Sequence, residues 1–296
     1  MMDFETKFRA FQLDSPGSLF SYYKPDEYTL IEARIPHKGI ETLWEDLKLH
    51  GKEFIDTLHI TSWDTDHCNF DDLTQIINRL RPQRIEIPCY IPESEDAKLC
   101  RGLLLKYDHI HQKYVHNVFV IDKKYIGQLP YASALGTNDV VYESMYDCEC
   151  KNDMSLIKLF RSAGFNVISL GDCECEDIAN ELCTRSFIKT EIDILILPHH
   201  GAHNGFITNK FLKTLKPRIA ICSSNHGNQY DHPRQEIRDL LYFNSIPLFT
   251  TKTGDIIIFQ RKESEQANLV NLLNDNTKLG AETTFVPKRL SKPLSI

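Results

Sequence analysis

A short apolar strand, Leu58-His59-Ile60, runs straight into Thr61-Ser62-Trp63-Asp64-Thr65-Asp66-His67. Two carboxylates and an imidazole thus fall within four residues at a strand end. Crowded carboxylates repel one another unless a positive charge sits among them, and Asp and His together suit zinc, manganese or iron. Alone, the segment also reads as a polar turn that caps a helix before Phe70. The pattern recurs, however. Phe165-Asn166-Val167-Ile168-Ser169-Leu170 delivers Gly171-Asp172, and Ile192-Asp193-Ile194-Leu195-Ile196-Leu197 ends in Pro198-His199-His200-Gly201. Arg218-Ile219-Ala220-Ile221-Cys222 leads through Ser223, Ser224, Asn225, His226 and Gly227 to Asp231-His232-Pro233. Buried strands that each end in an Asp- or His-bearing loop constrain the fold to an α/β scaffold holding chemistry on its loops.

In this order the residues resemble the metallo-β-lactamase superfamily, and within it the hydrolase domain of the ComEC type, found in the DNA-uptake channel of competent bacteria and in soluble relatives. That branch has Ser-His-Pro-Asp-Ala-Asp-His where this chain has Thr61 to His67. Its Asn-x-x-Ser-Leu block is matched by Asn152 to Leu156, its Gly-Asp by Gly171-Asp172, and its Pro-His-His-Gly by Pro198 to Gly201. A Ser…Asn…His-Pro segment is matched by Ser223 through Pro233, and a terminal Thr…Gly-x-Ile segment by Thr251 to Ile256. Leu13-Asp14-Ser15-Pro16-Gly17-Ser18 fits the family's opening loosely. The resemblance covers residues 8–260 and implies a four-layer αββα sandwich that hydrolyses phosphodiesters with a divalent metal, zinc or manganese, one or two ions.

On that resemblance the metal ligands are Asp64, Asp66, His67, Asp172, His199 and His232. Asp172 takes the place of the bridging carboxylate, and Asp66 both ligates and orients the attacking water. Of the adjacent His199 and His200, one binds metal while the other contacts a phosphate oxygen or protonates the leaving group, which makes Asp66, His199 and His200 the catalytic set. Asn152, His200 and Asn225 are expected to touch substrate. One departure stands out: the family's first histidine falls at Ser62, and a hydroxyl is a poor donor beside imidazole. His59 lies three residues upstream, on the opposite face of an extended strand. The early acidic residue of the family is represented by Glu32 in Leu30-Ile31-Glu32-Ala33.

DNA is the substrate the resemblance favours, in bacterial defence or DNA processing. Two alternatives stay open, a hydrolase of small phosphodiesters such as cyclic nucleotides and a catalytically degenerate binding subunit. The net charge of −7 argues against a broadly basic nucleic-acid surface, although a nuclease needs only a local groove. No apolar run reaches the length of about 18 residues that crosses a bilayer, and the Met1 terminus lacks a basic-then-apolar leader. A cytoplasmic chain without a membrane partner is therefore expected. Nine cysteines, an odd number, fit a reducing compartment. The spacing of Cys148-x-Cys150 and Cys173-x-Cys175 is too tight for a structural zinc pair.

Along the chain, a helix is expected around residues 39–50. Another, over Phe70, Leu73, Ile76, Ile77 and Leu80, has Asp71 and Asp72 favouring its amino end. Residues 93–116 read as helix-rich with Leu99, Leu103 and Leu104 buried. The stretch 125–150, punctuated by Gly127, Pro130, Gly136 and Asn138, is a loop-rich insertion expected to shape the cleft. Residues 1–260 form the hydrolase domain. Residues 261–296 are read as a carboxy-terminal arm, partly disordered or docking on a protein partner, with Leu269, Val270, Leu272 and Leu273 in one short helix.

Overall fold

The computed structural model describes residues 3–111, 117–133, 136–142, 150–227 and 229–291. In chain order, β1 (Phe4–Ala10), β2 (Phe20–Lys24), β3 (Glu27–Ile31), β4 (Thr57–His59), β5 (Arg84–Pro88) and β6 (Val118–Ile121) belong to one sheet. A second sheet holds β7 (Val140–Tyr142), β8 (Ile157–Phe160), β9 (Val167–Ser169), β10 (Ile194–Ile196), β11 (Ile219–Cys222) and β12 (Leu248–Thr250). The chain then returns to the first sheet as β13 (Ile256–Arg261), β14 (Ala267–Leu273) and β15 (Lys278–Phe285), giving the order β15-β14-β13-β1-β2-β3-β4-β5-β6.

Period-two alternation sorts the side chains into three apolar layers. Phe20 and Tyr22 of β2, Ile194 and Ile196 of β10, and Ile219 and Ile221 of β11 meet Phe160, Phe165 and Ile258 between the sheets. Their neighbours Leu195, Ala220 and Cys222 face outward, under α5 (Glu176–Leu182), α6 (Ser186–Thr190), α7 (Asn209–Leu215) and α8 (Gln235–Phe243). Leu30, Leu58 and Ile85 face the other way, under α1 (Glu41–Leu49), α2 (Phe70–Leu80) and α3 (Glu95–His111). Helices, two facing sheets and helices again make the αββα sandwich. Each fully buried Leu, Ile or Phe contributes about 1.5–3 kcal/mol, so the layers rather than helix propensity hold it.

Several expectations met a different outcome. In α3 the buried stripe is Ala97, Cys100 and Leu104, while Leu99 is 54% exposed, because three- and four-residue steps carry the sheet-facing side past position 99. The segment after 260 is no arm over its described length: β14 pairs antiparallel with β13, and β15 with β14. Leu269 enters the core between the sheets from a strand rather than a helix. Pairing with β13 satisfies the backbone of this segment, a long-range gain that local composition does not show. Residues 292–296, Cys148 and, within the expected insertion, residues 134–135 and 143–149 lie outside the described residues. Its described part forms α4 (Lys123–Gln128) and β7. It lines a cavity of about 410 Å³, with Leu129, Tyr142, Leu182 and Phe187, that contains none of the expected ligands.

Candidate metal centre

β3 to β6 run parallel, as do β9 to β12, so the loops after β4, β9, β10 and β11 leave their sheets at carboxyl ends. Loops at the carboxyl ends of parallel strands form the usual ligand crevice of an α/β sheet. After β4, the loop is closed by His67 N–H and Cys68 N–H donating to the Asp64 carbonyl, at 2.9 and 2.8 Å. α2 then starts at an Asn69 cap whose side chain accepts from the Asp71 and Asp72 amides, an arrangement worth about 1 kcal/mol. Gly171 has φ +55, and a Cβ there would sit 2.5 Å from Ser155 Cβ, so the turn that presents Asp172 needs glycine. His199 and His200 both adopt left-handed backbone, φ 44 and 53, in the turn after β10. Strain of this kind persists where the surroundings over-determine it and concentrates at functional sites.

One ligand atom each from Asp66, His67, Asp172 and His200 lies within 4.8 Å of all the others. His67 Nδ1 sits 3.1 Å from Glu32 Oε1 and 3.2 Å from Thr61 Oγ1, which leaves Nε2 facing Asp172 Oδ1 at 2.8 Å. His200 Nδ1 donates to the Ser223 carbonyl at 3.0 Å, and its Nε2 faces Asp66 Oδ2 at 3.0 Å. Both rings are thus anchored through one nitrogen and present the other, the orientation that a carboxylate or backbone carbonyl imposes on a metal-ligating histidine. Glu32 is itself held by the Thr61 amide and hydroxyl at 3.0 and 2.6 Å.

A cation fits these residues. His67 Nε2 and Asp172 Oδ1 are 2.8 Å apart, yet neither makes a hydrogen bond. Close approach at the wrong angle is how two donors aimed at a common point are disposed. The charge balance agrees. Burial opposes a charged His67, but Asp172, Glu32 and Asp66 outweigh it and raise its pKa well above the ordinary histidine value. Burial likewise works against charge on Asp66, and His67 and His200 overcome it to lower its pKa. Burial, joined by the positive fields of His200 and His199, instead pulls His232 down to about 4, so it is a neutral imidazole at physiological pH.

Of the other expected ligands, Asp64, His199 and His232 stand outside this quartet, while His200, expected at the substrate, stands inside it. Asp64 accepts from Ser62 Oγ at 3.2 Å. His199 Nδ1 pairs with Glu174, whose Oε1 also accepts from Asn152 Nδ2 at 2.8 Å. His199 and His232 line a cavity of about 60 Å³ with Gly17, Asp66, His200 and Asn225. Tyr230 stacks on His232 there, ring centroids 5.6 Å apart. Glu174 and Tyr90 escaped the sequence reading. Each follows a strand-end turn, the same signal that exposed Asp172, but neither belongs to a recognisable spacing.

No protein-family model matches the chain. It is similar to ComE operon protein 3 of Bacillus subtilis (strain 168), 26% identical over 226 residues, which cover 76% of this chain and 27% of that protein. The metallo-β-lactamase fold protein YhfI from Bacillus subtilis superposes with a TM-score of 0.50 at 12% identity, over 86% of this chain and 100% of YhfI. The chain has the metallo-β-lactamase fold. A mutant of CmlA beta-hydroxylase shares this fold, with a TM-score of 0.53 at 13% identity over 86% of this chain and 54% of that one. Similarity to ComE operon protein 3 also agrees with a ComEC-like relative within the metallo-β-lactamase fold. Among the described residues, no helix of this metallo-β-lactamase-fold chain is long and apolar enough to cross a membrane.

Proposed function

We propose that the chain is a metal-dependent phosphodiester hydrolase, with DNA as its leading substrate. The observation that carries this reading is the convergence of Asp66, His67, Asp172 and His200 within 4.8 Å. These four residues would hold a divalent ion, zinc or manganese, which would supply an acidified water at neutral pH and Lewis-acid polarisation of a phosphoryl oxygen. Asp66 belongs both to the quartet and to the small cavity beside it, so its carboxylate is placed to orient the attacking water. His199 lines the same cavity, close to Glu174, and is placed to act at the leaving oxygen. Asn225 and the neutral His232 offer polar contacts to the phosphate's substituents.

DNA is supported by the ComEC-type motifs and by similarity to ComE operon protein 3. A second reading, small phosphodiesters, is favoured by one observation: the residues lining the 60 Å³ cavity include neither Lys nor Arg. Both are tested by loading the protein with manganese or zinc and offering linear, circular and single-stranded DNA beside bis-p-nitrophenyl phosphate. Cleavage of DNA by the wild type and not by Asp66→Ala is expected. Cleavage of the small ester alone selects the second reading, and a loaded protein that cleaves neither refutes both.

A further inference from the structure

Beyond the quartet and the His232 that lines the small cavity with it, the donors on the Asp64 side are engaged with one another. Ser62, fully buried, lies 2.9 Å from the Tyr90 hydroxyl through its Oγ and donates to Asp64 Oδ2 at 3.2 Å. Tyr90 is fixed in turn, its hydroxyl accepting the Trp63 amide at 2.8 Å and its carbonyl accepting Trp63 Nε1 at 3.0 Å. Since the phenol oxygen accepts from Trp63, its proton is directed to Ser62, whose own proton goes to Asp64. This relay uses up the hydroxyl donors on that side. Across the cleft, Glu174 takes His199 and Asn152, and Glu32 is spent on Thr61 and His67.

We infer that the centre seats one cation only, and that the Ser62–Tyr90–Asp64 cluster occupies the ground a second would need. The inference rests on the proposed reading of the quartet as a cation seat. Among the described residues no second set of three His, Cys, Asp or Glu donors converges as the quartet does. A second divalent ion placed beside Asp64 would meet one carboxylate and neutral hydroxyls. Zinc and manganese at protein sites are held by imidazole, thiolate or several oxygen ligands. One carboxylate does not offset dehydration of a second ion next to the first.

The test is stoichiometry on the full chain. Protein stripped with EDTA is equilibrated with excess manganese or zinc, freed of unbound metal by gel filtration, and assayed by mass spectrometry for metal per chain. The manganese form is also examined by electron paramagnetic resonance. One equivalent is expected, with the six-line signal of an isolated ion, in the wild type, in Tyr90→Phe and in Asp64→Asn. Two equivalents, or an exchange-coupled manganese spectrum, overturn the inference and leave the proposed function standing. No bound metal in the wild type overturns both. Loss of metal from Asp64→Asn that retains the wild-type circular dichroism also overturns the inference, because it makes Asp64 a ligand.

Discussion

Two buried clusters of histidine and carboxylate bridge the sheets, and they balance their charge in opposite ways. In one, Glu86 accepts from His59 Nδ1 at 2.8 Å, Lys158 Nζ at 2.9 Å and Arg84 Nε at 2.9 Å, while Asp139 pairs with Lys158 at 3.2 Å and Lys24 at 3.0 Å. Its carboxylates are answered by cations of the chain itself. In the other, the ion pairs of Glu32, Asp66 and Asp172 among the described residues are with His67 and His200, and none is with Lys or Arg. Buried carboxylates are tolerated when paired or when they coordinate a metal. The first cluster is complete as folded. The second is built to receive positive charge from outside.

The largest effect expected from this contrast is the loss of metal from Asp172→Ala. Removal of a direct ligand should lower affinity by more than the roughly 10–100-fold typical of residues that only orient ligands. Equilibrium dialysis checks it, and a variant that keeps wild-type affinity breaks the comparison. Next, Lys158→Met strands Glu86 and Asp139 and should cost about 3–5 kcal/mol of folding stability, read by urea unfolding, while the surviving folded protein still binds metal. Glu32→Gln should weaken metal binding roughly 10–100-fold by loosening His67, with little change in unfolding. The smallest effect is in the pH response. Because the pKa values of His67 and His200 are raised in the metal-free protein, metal must displace protons from them. Affinity should therefore climb as pH rises, about tenfold per unit for each proton displaced, and level off above the raised values. The contribution of Glu86 in the other cluster should be constant over pH 6 to 8. Burial opposes the charge on Glu86 but Lys158 and His59 outweigh it, so its pKa is depressed and its stabilisation is lost only as pH falls below the usual carboxylate range. Urea titrations across that window check the second half of the contrast.

The strand-to-loop logic was legible in the sequence because it is local. Leu58 to His67, Gly171-Asp172 and Pro198 to Gly201 each carry an apolar run and its polar terminus within a dozen residues. Which of two adjacent histidines turns inward was not legible, since that depends on consecutive left-handed φ angles and on a Ser223 carbonyl delivered by another strand. Glu32 could be singled out as an acid after an apolar run, but its hold on His67 joins the end of β3 to the loop after β4 and shows only in space. The tail illustrates the same limit at the level of the fold. β15 is exposed along nearly its whole length and carries no alternation to read, so its pairing with β14 is fixed by partners and not by its own residues.

Asp66 and His67 hang from the nine-stranded sheet, and Asp172 and His200 from the six-stranded one. An ion gripped by both acts as a rivet through the sandwich. Loading and folding then share a single free energy, in which each tenfold excess of free ion over its dissociation constant adds about 1.4 kcal/mol to the intact state. Scarcity of the ion would loosen the seam between the halves of the molecule as well as silence its chemistry.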